Sequence, residues 1–142
     1  LIDWKAGGET YLPALSAAEI NYGIPTDLLA RIAYQESAWR EDIVNGTTRS
    51  SAGAVGLMQL MPQFFPGAGI SWHDDIIKAG QYLVTLYRTF GDWQLAVAAY
   101  NWGPGHMQKY VAGTYIALPL ETENYVKKVF TDVPIDGEIL HA

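Results

Sequence analysis

Apolar residues in this chain return every three or four positions, in runs cut by Gly or Pro, and nowhere alternate strictly with polar ones. That period buries one face of a helix and leaves no half-buried strand from which to build a sheet. Leu12, Leu15, Ala18, Glu19 and Tyr22 predict a first helix from about Glu9 to Tyr22, stopped by Gly23 with Pro25 beyond. Thr26 or Asp27 is a suitable N-cap for a second, which runs to about Trp39 with Leu29, Ile32, Ala33 and Glu36 on one face. Ile76, Ile77, Gly80, Leu83, Val84 and Tyr87 stripe a long helix from about His73 to Phe90, ended by Gly91. Asp92 caps the next, with Trp93, Ala96, Val97 and Tyr100 on its inner face. A turn at Asn101-Trp102-Gly103-Pro104-Gly105 leads into a short helix from Pro104 to Val111. A last helix spans about Leu120 to Asp132, with Val126, Val129 and Phe130 facing in. Residues 41–55 are polar and rich in Gly and Ser, 56–62 are a short apolar segment stopped by Pro62, and 63–72 are irregular. The expected class is all-α, with at most a small hairpin within 41–72.

A length of 142 residues suits a single domain, 1–142, with a real core. A hydrophobic share of 49% against 17% charged excludes a disordered chain. The net charge of −6 provides no basic stripe for phosphates, which argues against nucleic acid, and no pull toward an anionic surface. Without Cys there is no disulfide and no thiolate metal site. No apolar run approaches the ~20 residues that span a membrane. The start at Leu1, without Met or a leader pattern, reads as a mature form or an excised domain. The many aromatics, five Trp and nine Tyr among them, suit stacking on sugar rings as well as filling a core.

Glu36 is the sharpest feature. A carboxyl on an apolar stripe loses hydration, which disfavours its charged form and raises its pKa. A carboxylic acid still protonated near neutral pH can give its proton to a leaving oxygen, as glycosidic cleavage requires. The same position also fits a buried structural Glu paired with Arg31, Arg40 or a more distant base. Other chemistries have less support. His73, His106 and His141 are widely spread, with no HExxH pattern, and Asp74-Asp75 beside His73 reads as a helix start favoured by the macrodipole. No GxSxG context marks a nucleophilic Ser, and the Gly pairs 53/56 and 103/105 lack the Lys-Ser or Lys-Thr of a phosphate loop.

Four segments, in order and at matching spacing, resemble the lytic-transglycosylase family related to goose-type lysozyme. They are Glu36-Ser37-Ala38-Trp39; Ser50-Ser51-Ala52-Gly53-Ala54-Val55-Gly56-Leu57-Met58-Gln59-Leu60-Met61-Pro62; Ala98-Ala99-Tyr100-Asn101-Trp102-Gly103-Pro104-Gly105; and Leu118-Pro119-Leu120-Glu121-Thr122-Glu123-Asn124-Tyr125-Val126. The resemblance covers roughly residues 20–130 and implies a goose-type lysozyme-like helical domain with a substrate groove. It implies that Glu36 is the single catalytic glutamate, and that Ser50, Met58 and Gln59 line the sugar groove beside it. Tyr100 and Asn101 match the pair facing the glutamate, Glu121 a second acidic groove residue, and Tyr125 a supporting aromatic.

The resemblance further implies cleavage of the β-1,4 bond between N-acetylmuramic acid and N-acetylglucosamine in peptidoglycan, forming 1,6-anhydromuramoyl ends without metal or organic cofactor. A hydrolytic muramidase, helped by Glu41, Asp42 or Glu121, and a glycan-binding module without turnover are the alternatives. Two departures stand out. Trp102 replaces the small residue usual in the Asn-to-Gly turn, and the stretch from Glu36 to Ser50 is longer than in many members. The expected partners are glycan strands, with the isolated domain a monomer. The expected setting is the periplasm or cell wall, with a phage virion protein as a further option.

Overall fold

Pro13 sits in the first turn of a helix, where a residue without an N–H breaks no helical hydrogen bond. The computed structural model describes residues 3–131, and in it α1 runs Leu12–Tyr22. The helix starts later than its apolar stripe predicts, and ahead of it the Glu9 carboxylate folds back to accept from the Gly7 N–H at 2.8 Å. The chain continues through α2 (Leu28–Ser37), α3 (Glu41–Val44), α4 (Trp72–Phe90), α5 (Trp93–Trp102), α6 (Pro104–Val111) and α7 (Leu120–Phe130). There is no strand among the described residues, as the helical period predicts. The hairpin expected at most within 41–72 reduces to one isolated antiparallel bridge, Val55 to Leu60. The single turn α3 lies in what reads as loop. Asn101 and Trp102, expected in a turn, belong to α5, and the expected end of the last helix at Asp132 lies outside the described residues.

The contacts divide the chain into two compact units, one ending at Gln81 and one beginning at Tyr82 within α4. In the first, α1 packs on α2, and Leu15, Leu28, Leu29 and Ile32 are fully buried. Each such side chain contributes about 1.5–3 kcal/mol. Leu57, Met58 and Leu60 bury the loop before α4. The start of α2 corrects the expected cap. Asp27 occupies the N-cap position with a left-handed backbone, φ 69°, and its side chain makes no cap bond. Glu19 reaches over from α1 instead and accepts from the Asp27 and Ala30 N–H groups, each at 3.0 Å.

In the second unit α5 packs on both α6 and α7. Ala96, Val97, Ala98 and Ala99 are wholly buried, so this helix is enclosed almost all round rather than along one stripe. Its N-cap is as expected: the Asp92 side chain accepts from the Leu95 N–H at 2.9 Å. Trp93, expected on the inner face, is half-buried and stacks on Tyr87 at 3.9 Å. Thr122, Val126, Val129 and Phe130 form the buried face of α7.

Candidate active site

Helix α2 delivers Glu36 from the core to the surface. Every residue from Leu28 to Ala33 is buried, whereas Tyr34, Gln35 and Glu36 in the next turn are half-buried. Glu36 therefore stands at the boundary between core and solvent, one residue before the helix ends. Immediately after it the chain reverses through two consecutive left-handed residues, Ala38 (φ 51°) and Trp39 (φ 61°). Non-glycine residues rarely adopt this conformation, and two in a row persist only where their surroundings hold them. Ser37 supplies part of the hold. Its buried hydroxyl donates to the Ala33 carbonyl at 2.8 Å and accepts from the Trp39 N–H at 3.2 Å. The buried indole of Trp39 donates through Nε1 to the Trp4 carbonyl at 2.7 Å. Ser37 and Trp39, motif members with no role assigned from sequence, fix the backbone that carries Glu36.

Ser50, Met58 and Gln59 lie in one compact loop of the first unit. The exposed Ser50 accepts through Oγ from the Ala54 N–H at 2.8 Å and closes the turn on itself. Val55 and Leu60 exchange backbone hydrogen bonds at 3.0 and 3.1 Å, and the segment between them turns tightly. Gln59 is left-handed, φ 50°, and its Nε2 donates to the Gly56 carbonyl at 2.9 Å. That leaves Oε1 as the amide atom outside this bond. The Met58 side chain is fully buried and belongs to the core of the loop. Gly56 has φ 84°, and a Cβ there would lie 2.5 Å from Asp75 Oδ2. Asp75 is itself fully buried, accepts from the Gly69 N–H at 3.0 Å, and has its pKa raised by burial. The helix-start reading of Asp74 and Asp75 holds for their position, but Asp75 also pins this loop.

Tyr100, Asn101, Glu121 and Tyr125 belong to the second unit. Tyr100 is half-buried, 5.6 Å from the ring of Tyr82, whose hydroxyl pKa burial raises. Asn101 Oδ1 accepts from the buried Thr122 hydroxyl at 2.9 Å, tying α5 to α7. Glu121 is exposed in the first turn of α7, and Tyr125 is half-buried one turn on. Trp102 is half-buried; His106 stacks on it at 5.1 Å, and Tyr115 tilts against it at 5.4 Å. Glu41 is exposed in α3, and Asp42 is held by Arg40 at 2.8 Å with its pKa lowered by the Thr48 and Arg40 side chains. His141 lies outside the described residues, and no group of three metal-binding side chains occurs among those described.

Glu19 and Asp75 are buried carboxylates whose ties to the backbone of other segments the sequence reading did not find. Glu19 lay on the apolar stripe of α1, so its signal was present: a charged residue at a core position needs partners.

A family model described as transglycosylase SLT domain matches residues 13–119. The soluble lytic murein transglycosylase of Escherichia coli strain K12 is 34% identical over 131 residues, 75% of this chain and 20% of that protein. The membrane-bound lytic murein transglycosylase F of Stutzerimonas stutzeri strain A1501 is 31% identical over 110 residues, 69% of this chain and 21% of that protein. The chain thus spans about a fifth of the length of these curated relatives. Among solved structures, the X-ray structure of an inactive glutamate-to-glutamine mutant of the lytic transglycosylase Slt from Pseudomonas aeruginosa matches with a TM-score of 0.67. It is 28% identical and covers 85% of this chain and 23% of that one.

Proposed function

This chain belongs to the transglycosylase SLT domain family, and we propose that it cleaves the β-1,4 bond between N-acetylmuramic acid and N-acetylglucosamine in peptidoglycan without water. One observation carries the reading: Glu36 is half-buried at the last turn of α2, on a backbone locked by Ser37 and Trp39. A carboxyl so placed is near enough to the surface to meet a leaving oxygen and is held in one direction by the helix beneath it. Glu36 protonates the glycosidic oxygen, and the N-acetyl group of the muramoyl sugar stabilises the positive centre at C1. The Glu36 carboxylate then takes the proton from the C6 hydroxyl, whose oxygen attacks C1 and closes the 1,6-anhydro ring. The scheme needs one carboxylate and no metal or cofactor, whereas hydrolysis usually needs two carboxyl groups. Asp42, a possible second, is engaged by Arg40, and Glu41 and Glu121 are exposed.

Ser50 and Gln59 in the first unit, and Tyr100, Asn101, Glu121 and Tyr125 in the second, are the proposed glycan contacts. Met58 would contribute through its main chain, since its side chain is buried. The relatives' names support a murein substrate and a bacterial wall compartment, and offer nothing for a virion setting. The inactive glutamate-to-glutamine mutant of one solved relative supports an essential glutamate. The test is Glu36→Gln on purified peptidoglycan, with the products of the parent read by mass spectrometry. The variant is expected to fold and to lose turnover by at least about 1,000-fold. Anhydromuramoyl ends are expected from the parent; reducing ends would make it a hydrolase, and a fully active variant would remove Glu36 from the mechanism.

A further inference from the structure

Residues 3–11 precede the stretch matched by the family model, yet their contacts run the length of α2. At its start, Lys5 Nζ pairs with Asp27 at 3.1 Å. Midway, the Arg31 guanidinium lies over the Trp4 ring, 4.6 Å from its centroid, and the Tyr34 ring is 6.1 Å from the same ring. Beyond its end, Trp39 Nε1 bonds the Trp4 carbonyl at 2.7 Å, and Tyr11 stacks on the indole at 5.9 Å. Gly8 lies flat against that indole as well: a Cβ there would come within 2.5 Å of Trp39 Cε2. Trp4 and Trp39 are each only 8% exposed.

The strain at Ala38 and Trp39 gives these contacts a direction. A left-handed pair relaxes unless something opposes the relaxation. Ser37 holds the backbone from one side. The Trp39 ring is gripped from the other by Trp4, Gly8 and Tyr11. Only two peptide units join Trp39 to Ser37, whose hydroxyl bonds the helical turn bearing Glu36. We infer that residues 3–11 form a clasp that fixes the orientation of Glu36, with Trp4, Gly8 and Trp39 as positioning residues. This rests on the assignment of Glu36 as the acid and base.

Gly8→Ala and Trp39→Phe test it in the full chain. The first drives a methyl group into the indole; the second keeps a ring but removes the Nε1–H bond to Trp4 and part of the indole surface that Gly8 covers. Turnover is measured on soluble uncrosslinked glycan strands, well below each variant's melting temperature, together with circular dichroism. The expected result is a fall in kcat of roughly 10- to 100-fold for Gly8→Ala and about threefold for Trp39→Phe, with KM within about twofold of the parent. If Gly8→Ala does not fold, Trp39→Phe decides alone. A lowered melting temperature with unchanged kcat overturns the clasp, as does a raised KM with unchanged kcat. Glu36→Gln in the same assay separates the two ideas. Were it active, the catalytic assignment and the clasp would both fall; were it dead while the clasp variants kept full kcat, the clasp alone would fall.

Discussion

Ala38 and Trp39 share a backbone conformation but not a reason for tolerating it. Trp39 is held in the left-handed region by its buried indole and the bond to Trp4. Ala38 is exposed and contributes only its N–H, which bonds the Tyr34 carbonyl at 2.8 Å as the C-cap of α2. Glycine is the residue favoured at such a cap because it has no Cβ to meet the following carbonyl. Ala38→Gly should therefore stabilise the protein by about 0.5–1 kcal/mol, the relief of strain exceeding the added entropy of the unfolded chain. Urea unfolding is the measurement, with a raised midpoint and an unchanged slope expected. A lowered midpoint would mean that the methyl group packs. None of this strain was legible in Glu36-Ser37-Ala38-Trp39 as a string, because no residue type in it favours the left-handed region. The lock comes from residues as far away in sequence as Trp4.

The helices differ in how their starts are satisfied, and this separates what the sequence reveals about elements from what it hides. α5 is capped locally: Asp92 precedes the apolar run, as a cap should, and its carboxylate takes the Leu95 N–H. α2 is capped from another helix, by Glu19 eight and eleven residues before its partners. Local spacing finds the first kind and misses the second. It also misses α3, since four residues are too few to display a period. The two caps should differ in weight. Asp92→Ala removes one exchangeable bond and is expected to cost about 1 kcal/mol. Glu19→Ala leaves two N–H groups without their acceptor, the Ala30 one buried, and is expected to cost about 2–4 kcal/mol. Chemical denaturation of the two variants checks the order. Equal losses would mean that water or Asp27 replaces Glu19 at the start of α2.

At the scale of the whole molecule, the apolar period was enough for an all-helical chain, and four short motifs were enough for the family. The partners of the buried carboxylates Glu19 and Asp75 were not legible, because they are backbone groups brought near only by folding. Those carboxylates make a prediction for the protein as a unit. Burial raises the pKa of both Glu19 and Asp75, and the N–H groups of Ala30, Asp27 and Gly69 offset that only in part. The folded state therefore keeps these protons to a higher pH than the unfolded chain does. Between the two sets of values it binds more protons, so the linkage slope is negative and stability falls as pH rises. The contribution is complete below the ordinary carboxylate range near ~4 and is lost as pH passes through the raised folded values. Asp42 works in the opposite sense, its lowered pKa favouring the fold above that range, but its carboxylate stays open to solvent, which screens it. Unfolding free energies taken from about pH 4 to about pH 8 should thus decline for the parent. They should be nearly flat for Glu19→Gln combined with Asp75→Asn, whatever that variant's overall stability. The same slope in both proteins would place the linked protons on other groups.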